Sequence, residues 1–279
     1  MTDKGTDVAT GFGPLLKFWR GVHGFSQENL ALCAESSTRH ISCLENGKAH
    51  PSRLMVLKLS EVLELGDRDS CYLLLGAGYL PTANSVDFNS PDYKWLRKAM
   101  ILTLRAMDPF PAALMDKYGG LLMVNKGWVS FHNKTISHAE LANATNHYEL
   151  LFRQQRSDDI SEVKKNTLSL ILMAMQQEAL LSGDGHQEMM DKLISQTHIP
   201  KDWKKRAANL EPQASFRVQV DVEGKAQNFF SVSQMVGALG PTSFISEPRL
   251  IINTLYPEDT DIDLSSNLDL NLRHPLLPY

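Results

Sequence analysis

The sequence predicts an α+β protein of two domains, an all-α head followed by a larger α/β domain. Over residues 13–79, apolar residues recur at helical spacing and potential cap residues separate the runs. The segment 80–92 is rich in proline and turn-forming residues and is predicted to be a linker. Residues 93–260 combine period-two stretches typical of strands with further helical runs. A flexible N-terminus at 1–12 and an acidic C-terminal extension at 261–279 complete the predicted organisation.

The head is predicted to consist of five helices. Pro14 can begin the first helix, because proline fits the first turn of a helix. Ser52 can cap the fourth helix, and Asp67 can cap the fifth, which runs through Leu75. The predicted core positions of the first and fourth helices are Leu15, Leu16, Phe18, Trp19, Leu54, Leu57, Leu59, Val62 and Leu63.

The second and third predicted helices are short and joined by a tight turn. Ser26 can cap the second helix and Ser37 the third, because a serine hydroxyl accepts a hydrogen bond from a backbone N–H of the first turn. In the third helix Ile41 and Leu44 point towards the core, and Gly47 supplies the left-handed residue that ends it. The outward positions are then Thr38, Arg39, Ser42 and Cys43. This pattern predicts a helix-turn-helix motif whose second helix faces DNA.

Two interpretations of this outward face are open. Thr38, Arg39 and His40 can form the solvated side of a packed helix, as polar faces usually do. The coincidence of caps, apolar positions and the terminal Asn46-Gly47-Lys48 over one continuous stretch favours contact with DNA instead. Between Leu15 and Lys58 six basic residues stand against three acidic ones, although the whole chain has a net charge of -4. The attraction to DNA is therefore expected to be local.

The residues SQENLA, then STRHIS-x-LENGK and a following PS, resemble the phage-repressor and Xre class of helix-turn-helix domains from about Leu15 to Leu65. The resemblance implies phosphate contacts by Gln27, Asn46 and Lys48 and base contacts by Thr38, Arg39 and Cys43, with His40 and Ser42 on the same DNA-binding face. Cys43 departs from the usual chemistry, because a thiol is a weak hydrogen-bond group that offers apolar contact to a thymine methyl. The resemblance also implies an ion pair between Arg20 and Glu45.

We expect a homodimer that binds double-stranded DNA, because one recognition helix reads few bases and two-fold proteins bind paired half-sites. Three cysteines without a C-x-x-C pattern indicate neither a disulfide framework nor a zinc site. The histidines, among them His132, His138 and His147, lack metal-ligand spacing, and no catalytic motif is present, so we expect no metal, no other cofactor and no enzyme activity. The N-terminus lacks an apolar signal segment and no run approaches ~18 apolar residues, which predicts a cytoplasmic protein without a membrane partner.

The second domain is predicted to be a sheet enclosed by helices. Asp92 can cap a helix with an apolar stripe from Leu96 to Met107, ended by Asp108-Pro109. Residues 111–125 predict two strands around a glycine turn, with Asn125 opening a helix. The remaining predicted elements are helices at 160–181 and 202–210, a hairpin around Glu223-Gly224 and a strand within 244–256.

The stretches LLLGAGYLP, DPFPAALMDKYGGLLMVN and NTLYPED resemble the MmyB-like regulators over roughly residues 15–260. In that family an Xre-type head precedes a PAS-like ligand-binding domain, and the resemblance implies a lipophilic, fatty-acid-like ligand. The family's H-P-D-G element is not visible, and FRQQR at 152–156 stands near its place. The predicted ligand-binding residues are Met115, Met123, Trp128, Phe131, Phe152, Arg153, Arg156, Met173, Phe229 and Met235, the two arginines as partners of a carboxylate.

A second interpretation of this domain remains open, in which it serves only dimerisation or the binding of a partner protein. The same apolar residues would then fill a core, whereas a ligand sensor requires an apolar pocket. The acidic tail between 258 and 279, which includes the predicted C-terminal extension, carries Glu258, Asp259, Asp261, Asp263 and Asp269 against Arg273 alone. We expect it to be solvated.

Overall fold

The computed structural model shows an α+β protein, and this part of the predicted fold class is confirmed. It describes residues 11–80, 87–153, 162–182, 186–196, 199–210, 216–222, 225–236, 250–266, 268 and 272–279. The chain divides into two compact units between Asn84 and Ser85. The described part of the first unit is all-α, and the second unit contains a sheet together with further helices.

Five helices form the first unit: α1 Phe12–Val22, α2 Gln27–Cys33, α3 Thr38–Glu45, α4 Arg53–Val62 and α5 Asp67–Gly76. The hydroxyl oxygens of Ser26, Ser37 and Ser52 each accept a hydrogen bond from the third backbone N–H that follows, at 3.0, 3.1 and 3.2 Å. These three predicted caps are therefore confirmed. Helix α1 begins two residues before Pro14, and its buried first residue, Phe12, had been assigned to the flexible N-terminus. Residues 1–10 lie outside the described residues.

The core of the first unit takes one apolar stripe from each helix. Its fully buried members include Leu16, Leu30, Ile41, Leu44, Leu59, Leu63 and Leu73. Three predicted core positions are wrong, because Phe18, Leu54 and Leu57 are 58%, 76% and 42% exposed. A helix turns by about 100° per residue, so Phe18, two positions after the buried Leu16, points away from the core. Leu54 occupies the corresponding outer side of α4.

Two glycines determine how α3 is held. Gly13 of α1 lies so close to the end of α3 that a Cβ there would come within 2.5 Å of the backbone carbonyl oxygen of Glu45. Gly47 has a φ of 66°, and the N–H groups of Gly47 and Lys48 donate to the carbonyls of Leu44 and Cys43 at 3.2 and 2.8 Å. The predicted left-handed end of α3 is therefore confirmed, and these bonds satisfy carbonyls of the last turn.

The described residues of the second unit form seven α-helices, a short 3₁₀ helix at Pro91–Tyr93 and five strands. The helices are α6 Lys94–Met107, α7 Lys126–His132, α8 His138–Ala142, α9 His147–Leu151, α10 Glu162–Ser182, α11 His186–Ile194 and α12 Trp203–Ala208. The strands are β1 Ala112–Asp116, β2 Leu121–Val124, β3 Phe216–Val222, β4 Lys225–Val236 and β5 Leu250–Pro257. Both predicted hairpins and the predicted final strand are present.

The five strands form one antiparallel sheet in the order β2-β1-β5-β4-β3. Successive residues of a strand point to opposite faces, so β1 contributes to two separate cores. Leu114, with Ile252 of β5, packs against α6. Ala113 packs on the other face with Trp128 of α7 and Leu141 of α8. Helices α7 and α8 therefore cover one face of the sheet, and α6 covers the opposite face.

Asn125 is the buried connection between β1, β2 and α7. Its Oδ1 accepts hydrogen bonds from the backbone N–H groups of Ala112 at 2.9 Å and Trp128 at 2.8 Å. Its Nδ2 donates to the carbonyl oxygens of Phe110 at 2.8 Å and Leu104 at 3.3 Å. One amide side chain thus caps α7, as predicted, and also joins α6 to the start of β1.

The predicted linker at 80–92 is wrong at its C-terminal end. Phe88 is buried in the core that α6 shares with the sheet, and Arg97 donates to the carbonyl oxygens of Phe88 and Ser90 at 2.6 Å each. The second unit therefore begins before Pro91 rather than after the linker. An aromatic residue among turn-forming residues was the available signal for this packing.

The prediction that 261–279 is a solvated extension is also wrong. Leu264 and His274 are buried, and Leu272, Leu276 and Leu277 pack against the core around α7 and α8. The N–H of Val124 donates to the carbonyl oxygen of Leu276 at 2.9 Å, and the Tyr279 hydroxyl donates to Asp108 at 2.8 Å. Leu264, Leu272, Leu276 and Leu277 bury apolar area, whereas Asp261 and Asp263 are exposed, so the acidic composition of the segment misled the prediction.

Candidate functional site

Helix α3 presents one polar face beyond its buried residues. Thr38 and Arg39 are exposed, and Ser42 and Cys43 are half-buried on the same side of the helix. The backbone turn before α3 is held by Ser36, whose N–H donates to the carbonyl oxygen of Ala31 at 2.8 Å. The structure therefore brings together the four outward residues that the sequence predicts. His40 is half-buried at the edge of this face.

The two predicted phosphate-contacting residues after α3 are both exposed. Asn46 donates its side-chain amide to the carbonyl oxygen of Ser42 at 2.7 Å, which fixes the side chain against the last turn of the helix. Neither Arg39 nor Lys48 forms an ion pair within the part of the chain that the structure describes. Their charges are therefore available to a negatively charged partner.

A charged network fixes α3 against α1 and α2. Arg20 donates from Nε to Glu45 Oε1 at 2.5 Å and from Nη2 to Glu45 Oε2 at 3.0 Å, and its Nη1 donates to the carbonyl oxygen of Phe25 at 2.8 Å. Gln27 Nε2 donates to Glu45 Oε2 at 2.7 Å. The ion pair implied by the resemblance is present. The Gln27 amide is engaged inside the protein, whereas its backbone N–H lies in the first turn of α2, where no intrahelical acceptor exists.

The pKa of Glu45 reflects this network. Burial by itself raises the pKa, because it penalises the charged carboxylate. The hydrogen bonds from Arg20 and Gln27, together with the positive charges of Arg20 and Lys17, outweigh burial and hold the pKa of Glu45 below its usual value. Glu45 is therefore a charged buried anchor at neutral pH.

The predicted ligand-binding residues are distributed over several cores of the second unit. Phe152 and Met173 pack with α10, α11 and α12, Met123 packs with α6, and Trp128 packs between α7 and α8. Phe131 and Phe229 pack together, with ring centroids 5.1 Å apart and an interplanar angle of 78°. Met115 is buried in β1. The structure brings Phe131 and Phe229 into contact and separates most of the others.

A shallow depression lies beside α7. It is lined by Pro109, Pro111, Gly127, Ser130, Phe131, Lys134, Leu264 and Leu268. Its enclosed volume is about 10 Å³, which is close to the space that one water molecule requires. This depression cannot hold an acyl chain, and Phe131 is the one predicted ligand-binding residue that lines it.

Three other predicted ligand-binding residues are Met235, Arg153 and Arg156. Met235 is 55% exposed on β4, so its prediction as the wall of an enclosed pocket is wrong. Arg153 is exposed and pairs with Glu140 at 2.6 Å, which gives its guanidinium a carboxylate partner on α8. Arg156 lies outside the described residues. Residues 233–235 of β4 are all exposed.

A buried polar cluster was missed at the sequence level. Trp128 and His147 are 2% and 7% exposed, and Trp128 Nε1, His132 Nε2 and His147 Nδ1 are shielded from solvent without a hydrogen-bond partner among the described residues. The rings of Trp128 and His132 lie with centroids 4.5 Å apart. Their separation by four residues on α7 was a signal that both occupy one helix face.

The two histidines of this cluster are held neutral. Burial, and secondarily the nearby His147, lowers the pKa of His132 to about 3. Burial lowers the pKa of His147 to about 4. The ring nitrogens of His274, unlike the unpartnered nitrogens of His132 and His147, both have hydrogen-bond partners. Its Nε2 bonds to the carbonyl oxygen of Leu141 at 3.0 Å, and its Nδ1 accepts from the N–H of Leu276 at 3.1 Å.

No three His, Cys, Asp or Glu residues in the described ranges lie close enough to hold a metal ion. No described helix has both the length and the apolar character to cross a membrane. Comparison of the chain with protein-family models and with curated proteins finds no match.

Proposed function

We propose that the protein is a sequence-specific DNA-binding transcription regulator of the Xre type. The observation that carries the proposal is the polar face of α3, whose Thr38 and Arg39 are exposed while Glu45 at the end of the same helix is locked to α1 and α2. A helix fixed in this way can enter the major groove, where an arginine bonds guanine O6 and N7 through two N–H groups. Asn46 and Lys48 then lie where phosphate contacts fit the chemistry of both side chains.

We propose further that the second unit is a PAS-like sensor domain related to those of MmyB-like regulators. The antiparallel order β2-β1-β5-β4-β3, with helices inserted between β2 and β3, is the order of PAS sheets and supports this assignment. The buried polar cluster around Trp128 lies on the face of the sheet that α7 and α8 cover, and its unpartnered nitrogens support a polar ligand group there. The ligand class proposed is a fatty-acid-like molecule, which gains about 0.8 kcal/mol for each methylene it buries.

The alternative function for the second unit is dimerisation or partner-protein binding alone. It is favoured by the distribution of the predicted ligand-binding residues over separate, filled cores and by the small volume of the depression beside Phe131. Mass spectrometry of small molecules extracted from the purified protein distinguishes the two functions. A stoichiometric acyl compound supports the sensor, and protein that takes up no acyl compound after delipidation supports the alternative.

Selection from a pool of random duplexes tests the DNA-binding proposal. The expected product is one enriched sequence with two half-sites spaced by about 10 bp or a multiple, because a two-fold dimer presents its recognition helices on one side of DNA. Footprinting then locates the protected bases, and light scattering gives the mass of the protein in solution. A pool without enrichment excludes sequence-specific binding, and a monomer that protects one half-site excludes the dimer.

A further inference from the structure

We propose that the ring nitrogens of Trp128, His132 and His147 form the polar subsite that binds the carboxylate head of an acyl ligand. This inference rests on the proposed sensor function of the second unit. The subsite takes the role that the sequence analysis assigned to Arg153, since Arg153 is exposed and paired with Glu140.

The first argument is the burial of polar atoms without partners. Trp128 and His147 are both more than nine-tenths buried, and Trp128 Nε1 and His147 Nδ1 have no hydrogen-bond partner among the described residues. His132 Nε2 is also shielded and unpartnered. Buried polar groups are nearly always hydrogen-bonded, because leaving one unpaired forfeits its interaction with water. Three such nitrogens in one region therefore indicate a binding position for a polar group.

The second argument is proximity within the fold. Trp128 and His132 lie one turn apart on α7, with ring centroids 4.5 Å apart. His147 begins α9, and its backbone N–H donates to the carbonyl oxygen of Gly119 at 2.8 Å, which ties α9 to the β1–β2 turn. His132 and His147 are near enough for the charge of one to act on the other. Trp128 and His132 thus adjoin on α7, and His147 of α9 lies within electrostatic range of His132.

The third argument is the chemistry of the donors. The indole Nε1–H can only donate, so the group it faces must be a hydrogen-bond acceptor and not a cation. A neutral imidazole carries one N–H, and the tautomers with the proton on His132 Nε2 and on His147 Nδ1 supply two more donors. Both histidines are neutral at pH 7, because burial lowers each pKa well below that value. Three neutral donors suit an oxyanion such as a carboxylate, whose hydrogen bonds are charge-assisted.

The surroundings of the cluster suit the rest of the proposed ligand. Trp128 packs with Val124, Val129 and Leu141, so the polar nitrogens are set in an apolar core. Phe131, next to His132, packs with Phe229 and Leu255. A molecule with one acceptor head and a long apolar body matches this combination, since its methylenes would contact apolar side chains while its head meets the donors.

The experiment compares dodecanoic acid with its methyl ester, which has the same chain and an uncharged head. Binding to the delipidated full chain is measured by calorimetry for the parent protein and for His147→Phe and Trp128→Phe, which keep an aromatic ring and remove one nitrogen. His138→Gln is the control, because His138 is exposed on α8. Thermal unfolding of each variant verifies that it folds. Long-range nitrogen NMR of the imidazoles on the parent protein gives an independent readout.

In the parent protein and in His138→Gln, the acid is expected to bind about tenfold or more tightly than the ester, the effect of a hydrogen bond to a charged group. Each phenylalanine variant is expected to bring the two affinities within about threefold, and the acid is expected to shift the imidazole nitrogens of His132 and His147 but not those of His138.

Equal affinities in the parent protein, or a head-group preference that survives in folded variants, would overturn the subsite and leave the sensor function standing. Imidazole signals that bound acid does not move would mean that the nitrogens hold only water, and would overturn it too. If neither compound binds, the sensor function fails and the subsite fails with it.

Discussion

Removing the carboxylate of Glu45 should destabilise the first unit while leaving the second intact. Glu45 accepts three hydrogen bonds from Arg20 and Gln27 and is 7% exposed. Taking away one partner of a fully buried ion pair costs about 3 to 5 kcal/mol. The Arg20 side chain is 16% exposed, so water can partly solvate its charge when Glu45 is removed. We therefore expect Glu45→Ala to lower the free energy of unfolding by about 2 to 3 kcal/mol.

The assay is urea unfolding of the full chain labelled with fluorotryptophan. Trp19 packs against the core of the first unit, so its fluorine signal reports that unit separately from Trp95, Trp128 and Trp203. The double variant Arg20→Met with Glu45→Leu should recover most of the loss, because apolar residues can replace a buried ion pair. A loss below about 0.5 kcal/mol for Glu45→Ala would refute the network as a determinant of α3 docking. A double variant as unstable as the sum of its single variants would refute the coupling.

Three further predictions follow from other contacts. Asn125→Ala should destabilise the second unit by about 3 to 5 kcal/mol, because it unpairs backbone groups of α6, β1 and α7; urea unfolding with a loss below about 1 kcal/mol would contradict the role of this side chain. Lys48→Ala should weaken binding to all duplexes alike and lower the slope of log affinity against log salt by about one; a changed base preference in the salt titration would contradict a phosphate contact. Acid should destabilise the second unit as pH falls below 6.5, because His132 and His147 have pKa values of about 3 and 4 when folded and 6.5 when unfolded, so the unfolded state binds more protons. At pH 5 each histidine lowers the free energy of unfolding by about 2 kcal/mol. In a variant with both histidines changed to Phe, the free energy of unfolding should therefore fall less between pH 7 and pH 5, as measured by urea unfolding at the two pH values. The same pH dependence in that variant would locate the acid sensitivity elsewhere.

The sequence correctly predicted the features that depend only on neighbouring residues, such as helix caps. The caps at Ser26, Ser37 and Ser52 and the left-handed Gly47 each depend on a few neighbouring residues, and all four are present. Asn125 was predicted as a cap of α7, but its bonds to α6 and β1 depend on the assembled fold. Sequence spacing cannot show such contacts, because they join groups far apart in the chain.

The wrong predictions concern contacts that depend on how whole elements pack together. Phe18 and Leu54 are as apolar as the buried residues near them, and the packing of whole helices decides which one is enclosed. His132 and His147 were judged by their spacing in sequence, whereas α7 and α9 bring them together in space. The C-terminal segment was predicted to be solvated because of its carboxylates, but its leucines pack against the core. One segment can hold buried leucines and exposed carboxylates together.

The affinity of Arg39→Ala for the selected operator and for a scrambled duplex tests the central claim most directly. Arg68→Ala is the matched control, because it removes an exposed arginine that belongs to α5 and not to α3. If Arg39 reads a base, Arg39→Ala should lose about 1 to 3 kcal/mol on the operator and little on the scrambled duplex, while Arg68→Ala should change neither. Equal losses of Arg39→Ala on both duplexes, or an operator preference that it leaves intact, would contradict base recognition by α3.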